Sequence, residues 1–287
     1  MADRLRNLLL ATPILFMGLF ALCPLLIMVV VSFWEREGFQ TVPAFSWAAY
    51  AEFLGGVRTS VLIRTVLTAI LATALSLIVI YPIAYLLARM SRPGFVRIVL
   101  ILFTIPFLIS YIIRNFAWAF ILGRTGPLNE ALIGLGIVDA PIDWLLYSTF
   151  AVYVGLIGSY MPFMLFPLWL ALSGIDKRLI EASYLLGASP AKTFLRITLP
   201  LSLPGIFAAA VFGLVGILGE SAVSLILGGA GYELMGNTIT SSMNVLNYPL
   251  AAAMSTITVA VMVLMLIIWY FTVDTRAFLR QIVGRSE

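Results

Sequence analysis

Six long apolar runs leave this chain few folds to choose from. They cover roughly residues 8–33, 62–88, 98–122, 147–172, 205–227 and 250–273. Each is long enough to cross about 30 Å of hydrocarbon, which takes about 20 apolar residues. Backbone groups in lipid find no water, so each run must close its own hydrogen bonds as a helix. Only 10% of the residues are charged, against 62% hydrophobic, too little charge to cover a water-soluble body of this size. The expectation is an all-α membrane protein with six transmembrane helices in a single domain, residues 1–287. The first run is longer than the ~7–15 apolar residues of a secretion signal. Leu22, ahead of Cys23, is too bulky for a lipoprotein cleavage site. The run reads as a retained anchor.

The basic residues orient the helices. Arg4 and Arg6, Arg89, Arg92 and Arg97, Lys177, Arg178, Lys192 and Arg196, and Arg276, Arg280 and Arg285 all fall on one side of a six-helix arrangement. Arg36, Arg58, Arg64 and Arg124 fall on the other. Cytoplasmic loops carry the Lys/Arg excess, so both termini are expected in the cytoplasm. A basic membrane surface accounts for the net charge of +4, and no nucleic-acid partner is implied. On the outer side, residues 123–143 read as a short amphipathic helix. Trp47, Tyr50, Trp118, Trp144 and Tyr147 suit an interfacial aromatic belt. Asp139 and Asp143 form a solvated acidic loop or a contact for a partner.

Catalytic hardware is missing from the sequence. It has no His and one Cys, which excludes a disulfide framework and the commonest general base and metal ligand. No phosphate-binding G-x-x-x-x-G-K-[ST] occurs; GILGES at 216–221 lacks the Lys. No cofactor is expected in this chain. Uphill transport would draw on an ion gradient or on a separate ATPase.

Residues 181–206, EASYLLGASPAKTFLRITLPLSLPGI, are too polar to span a membrane. Asp176 is placed to cap a helix beginning at Lys177, and Gly187 fits its left-handed stop. Ser189-Pro190 reads as an N-cap followed by proline at the first helical position. Phe194 and Ile197 then share one face, Lys192 and Arg196 another. Pro200 and Pro204 are expected to end the second helix and turn the chain up into the membrane. The pattern alone also fits a basic helix pair lying on lipid headgroups.

This stretch resembles the EAA loop of ABC importer permeases, E-A-A-x-x-x-G-A followed by F-x-x-I-x-L-P. Glu181, Ala182, Gly187, Ala188, Phe194, Ile197, Leu199 and Pro200 are in register, and Ser183 stands for the second Ala. Most of the chain is similar to the spermidine/putrescine permease subfamily, through ATPILFMGLFALCPLLIMVVVSF, ISYIIRNFAW, LNEALIGLGI, LGES, LILGG and NYPLAAAMS. The resemblance implies a type I ABC importer permease fold in a bacterial inner membrane, with the loop at about 173–204 coupling it to an ATPase. The implied partners are a cytoplasmic ABC ATPase dimer that binds ATP and Mg, a second homologous permease and a periplasmic substrate-binding protein. The implied solute is a polyamine or a related small organic molecule. The alternative is an ion-coupled secondary transporter or channel working without an ATPase. A membrane-embedded enzyme is disfavoured by the missing His and metal motifs.

Arg114 and Glu220 are charges inside apolar runs, where each costs about 2.5–3.5 kcal/mol unless it faces a cavity or a partner. They either pair as an ion bridge, or Glu220 lines the pathway and attracts an ammonium while Arg114 sets the field. A third reading has Arg114 reaching outward to the headgroups. Tyr111, Arg114, Asn115 and Trp118 share one helical face and form either a pathway lining or a helix interface. Tyr160, with Met161 and Pro162, is a candidate constriction.

Overall fold

A computed structural model describes residues 2–272. The chain is mostly helical, and its described residues group into two compact units. One comprises the N-terminal residues to Leu62 together with Met235–Val261; the other comprises Ile63–Leu234 and the residues from Met262 on.

The first unit opens with α1 (Ala2–Val31), which includes the apolar stretch Leu15–Val31. A two-stranded antiparallel hairpin follows, β1 (Glu35–Glu37) and β2 (Gln40–Val42), turning at Gly38 with φ +65°. Phe33, Phe45, Trp47 and Tyr50 pack their rings together beside it. This small hairpin is the one departure from an all-α chain among the described residues. Next come α2 (Ala48–Leu54) and the start of α3 (Arg58–Arg89). Phe53, Val61, Met235, Leu250 and Met254 form the unit's buried core.

The second unit holds the rest of α3, α4 (Pro93–Leu108), α5 (Tyr111–Leu122), α6 (Pro127–Gly134), α7 (Thr149–Ser173), α8 (Lys177–Leu185), α9 (Pro190–Thr193), α10 (Leu199–Leu218) and α11 (Ala222–Leu227). α12 (Met235–Asn244) lies in the first unit, and α13 (Tyr248–Thr272) closes the described chain. The amphipathic helix expected at 123–143 is α6. Its buried Asn129 ties the turn before the helix to the loop after it, donating to the Gly123 carbonyl at 3.0 Å and accepting from the Ile142 N–H at 2.8 Å.

Among the described residues, four helices are long and apolar enough to cross a membrane, Arg58–Arg89, Thr149–Ser173, Pro190–Leu218 and Tyr248–Phe271; a bent pair makes a fifth candidate. Two expected runs are corrected. The run at 98–122 is broken: α4 ends at Leu108, α5 begins at Tyr111, and the chain bends by 96° between them. The run at 205–227 is interrupted at 219–221, between α10 and α11. The expected turn at Pro200 and Pro204 is also absent. A π-helical turn, Phe194–Thr198, joins α9 to α10, so Pro190–Leu218 is one 29-residue helix. The π turn bonds the Leu199 N–H to the Phe194 carbonyl, and this wider register leads into the proline without breaking the helix.

Lipid gives helices no hydrophobic reason to associate, so close approach depends on small residues. A Cβ on Gly205 of α10 would lie 2.4 Å from Ala171 Cβ and 2.9 Å from the Pro167 carbonyl oxygen of α7. One on Gly213 would meet Thr73 and Met164 at 2.9 and 3.2 Å. Replacing Gly205 by Val is therefore expected to destabilise the protein by about 1–3 kcal/mol, the usual cost of overpacking. Thermal unfolding in detergent measures this. Gly134→Ala, at the end of α6 with open space around its Cβ, should leave the midpoint unlowered or slightly raised.

Candidate functional site

Two groups of residues in the second unit bring together side chains singled out from the sequence. In the first, α8 and α9 form the expected helix pair about a glycine corner. Asp176 Oδ1 accepts from the Arg178 N–H at 2.9 Å, and Ser189 Oγ accepts from the Lys192 N–H at 3.3 Å. Gly187 sits at φ +77°, a conformation that costs an L side chain 1–2 kcal/mol or more. The Gly187 N–H reaches the Tyr184 carbonyl at 2.9 Å, and the Ala188 N–H reaches that of Ser183 at 3.0 Å. These bonds close the corner.

Glu181 and Ala182 are exposed on α8, while Ser183 faces inward. Leu185 and Leu186, at the tip, are 89% and 88% exposed. Ala188, Phe194 and Ile197 are half-buried and Pro200 is exposed. The Phe194 ring stands edge-on to Tyr81 and Tyr85 of α3, with centroids 5.9 and 5.7 Å apart. Sequence reading missed these two tyrosines; their four-residue spacing placed them on one helical face, but nothing local said what that face meets.

The second group gathers around Glu220, which is 3% exposed in the gap between α10 and α11. Its Oε1 accepts from the Val223 N–H at 2.9 Å and so satisfies one of the free donors at the start of α11. Its Oε2 accepts from the Tyr160 hydroxyl at 2.8 Å and from the Tyr111 hydroxyl. Tyr160 Oη also lies 2.9 Å from the Gly216 carbonyl. Gly216 makes room for the ring, since a Cβ there would sit 2.1 Å from Tyr160 Cε1.

Arg114 and Glu220 do not form an ion pair. The Arg114 guanidinium instead donates to the Pro106 carbonyl at 3.0 Å and lies 5.3 Å from the centre of the Tyr111 ring. The α4–α5 break frees that carbonyl, and Arg114 satisfies it. Nor does Arg114 extend away to a headgroup. Tyr111, Arg114 and Tyr160 line a cavity of about 520 Å³ together with Ser159 and Phe163.

The rest of the expected stripe goes elsewhere. Asn115 is fully buried. The Trp118 indole packs on Gly158 of α7, where a Cβ would meet Nε1 at 2.9 Å. Pro162 is buried and Met161 packs on the neighbouring core, so only Tyr160 of that trio faces the cavity. Ser159 and Gly216 were not singled out from the sequence. Small residues in apolar helices give no sign of their neighbours. In the segment between α5 and α7, Asp143 makes an exposed 3.3 Å pair with Arg124, worth about 1 kcal/mol at most.

Tyr160→Phe removes one donor from a buried carboxylate and leaves the ring in place. Hydrogen bonds to charged groups contribute about 1.5–3 kcal/mol, so a lower unfolding midpoint in detergent is expected. Tyr111→Phe should act similarly, and the double variant should fall short of the sum because both hydroxyls serve one oxygen. Additive losses would show that the two do not share it.

Comparison with known proteins places this geometry. Residues 80–278 match the family described as binding-protein-dependent transport system inner membrane component. The chain is 34% identical over 271 residues to the spermidine/putrescine transport system permease protein PotB of Salmonella typhimurium strain SL1344, covering 93% of each protein. To PotB of Escherichia coli K12 it is 35% identical over 255 residues, covering 88% of this chain and 92% of that one. In fold it is similar to a chain of a bacterial alginate ABC transporter in complex with an alginate pentasaccharide-bound periplasmic protein, with a TM-score of 0.71 at 18% identity and 96% of each chain covered. The chain belongs to the binding-protein-dependent transport system inner membrane component family, as a multi-pass, non-catalytic permease subunit of an importer.

Proposed function

We propose that this chain forms half of the translocation pathway for a polyamine-like or related small organic solute in a bacterial inner membrane, driven through its α8–α9 loop by a cytoplasmic ABC ATPase dimer. A second homologous permease supplies the other half, and a periplasmic binding protein delivers the solute. The ATP and Mg belong to the ATPase. The single permease domain crosses the membrane six times with both termini cytoplasmic. The four long apolar helices, the bent α4–α5 pair and the apolar part of α1 support that count, and the Lys/Arg distribution supports the orientation.

The observation that carries this reading is the shape of the loop. Leu185 and Leu186 stand out at its tip beside the exposed Glu181, an apolar knob suited to a groove on another protein. Its second helix continues into α10 without a break, so displacement of the knob moves a membrane span. The exposed positions Glu181 and Ala182 contact the ATPase. Ser183, Gly187 and Ala188 shape the corner, and Phe194, Ile197 and Pro200 seat the second helix.

The relatives' names support the solute class, since they are spermidine/putrescine permeases. Tyr111, Tyr160 and Phe163 offer aromatic surface to a passing ammonium, with the Glu220 carboxylate behind two of them. Arg114 opposes tight retention, as suits a site that must release what it admits. Asn115 and Trp118 hold α5 in place from the packing side. Discontinuous helices also occur in ion-coupled transporters, but family membership favours the ATP-driven reading.

Three outcomes check this. The chain, co-expressed with its neighbouring genes, is expected to purify with a cytoplasmic ATPase and a second permease; a chain that purifies alone and transports in liposomes without ATP contradicts the reading. Gly187→Val should abolish ATP-driven uptake while membrane insertion is normal, and unchanged uptake would remove the coupling role. Glu220→Gln should reduce uptake of cationic solutes; normal uptake of every one tested would remove Glu220 from the pathway.

A further inference from the structure

The E-A-A pattern is interrupted here by Ser183, and the structure gives that residue a partner. Ser183 Oγ lies 2.6 Å from Thr193 Oγ1. Ser183 is 7% exposed and Thr193 3%, so water does not compete for the bond. The two residues lie on opposite sides of the Gly187 corner, one on each loop helix. α8 has 9 residues, below the ~12–15 at which helices become marginally stable alone, whereas α9 is the first turn of the continuous Pro190–Leu218 helix. A load applied to α8 would otherwise be absorbed by rotation about the corner.

Beyond Thr193 the chain is fixed at each step. Phe194 sits between Tyr81 and Tyr85. Arg89 donates to Thr198 Oγ1 at 3.3 Å, and the Tyr81 and Ser202 hydroxyls are 2.9 Å apart. The helix then runs unbroken to Leu218. Beside the packing of Ile180 in the core, the Ser183–Thr193 bond is a side-chain hydrogen bond that ties α8 into this assembly.

We propose that Thr193 is a positioning residue for ATPase coupling: through its hydroxyl it locks α8 onto the Pro190–Leu218 helix and onto α3, so that the loop moves as one body. This rests on the permease reading above. The test uses the complete complex of both permeases, ATPase and binding protein in proteoliposomes, and reads ATP hydrolysed per solute imported. A load lost at a loosened corner raises that ratio, whereas simple loss of folded complex lowers hydrolysis and import together.

Thr193→Val is expected to raise the ratio about fivefold. Thr193→Ser, which restores the hydroxyl, should return it to the wild-type value. Ser183→Ala should match Thr193→Val, and the double variant should be no worse than either. An unchanged ratio in both single variants, a proportionate fall in hydrolysis and import, or failure of Thr193→Ser to rescue would each overturn the proposal. A wild-type chain that brings no ATPase would instead sink the permease reading itself.

Discussion

The contact between α7 and α10 is the constraint on which the second unit depends. Lipid tails are as apolar as leucine, so these helices stay together only through close packing and hydrogen bonds. Gly205 lets α10 approach the Pro167 carbonyl and Ala171 of α7, and Gly216 makes room for the Tyr160 ring. That second contact does more than fill space. It brings the Tyr160 hydroxyl to the Gly216 carbonyl and to Glu220, where Tyr111 of α5 joins it. One seam of small residues thus fixes three helices. Because α10 continues from the α8–α9 loop, the same seam lies along the route by which the loop can act on the cavity.

Breaks in the helices matter as much as their contacts. Each break leaves backbone groups without partners, which is tolerated at membrane depth only where protein or a cavity supplies them. At the α4–α5 bend, Arg114 takes the Pro106 carbonyl. At the α10–α11 gap, Glu220 takes the Val223 N–H. Both intramembrane charges are thus explained first by the backbone they satisfy, and only then by what they present to the cavity. Their separate duties account for the absence of an ion pair between them.

Much of this was legible in the sequence. Asp176, Ser189-Pro190 and Gly187 announced the loop's two helices and its corner because capping and left-handed φ are local chemistry. The apolar runs at 62–88, 147–172 and 250–273 each coincide with a helix long and apolar enough to cross a membrane. What stayed hidden was non-local. The bend near Ile109 and Ser110 lies within an unbroken apolar run, where hydropathy cannot distinguish one helix from two. Pro200 and Pro204 read as a stop, yet the π turn before them and their place near the start of α10 let the helix pass. The side chains meeting Phe194, and the partners of Glu220, are set by packing across tens of residues, and no spacing rule reaches that far. The smallest residues proved hardest to read, since Gly205, Gly216 and Ser183 act through what they leave room for or touch.

In the proposed mechanism the α8–α9 tip is the surface on which an ATPase acts. Leu185 is 89% exposed, and the chain's one native cysteine, Cys23, can be replaced by Ser. A Leu185→Cys variant in that background, labelled with a membrane-impermeant maleimide in inside-out vesicles, tests the claim directly. The account predicts rapid labelling when the ATPase is stripped away and strong protection when it is restored. Equal labelling with and without the ATPase, or no labelling from the cytoplasmic side at all, would contradict it.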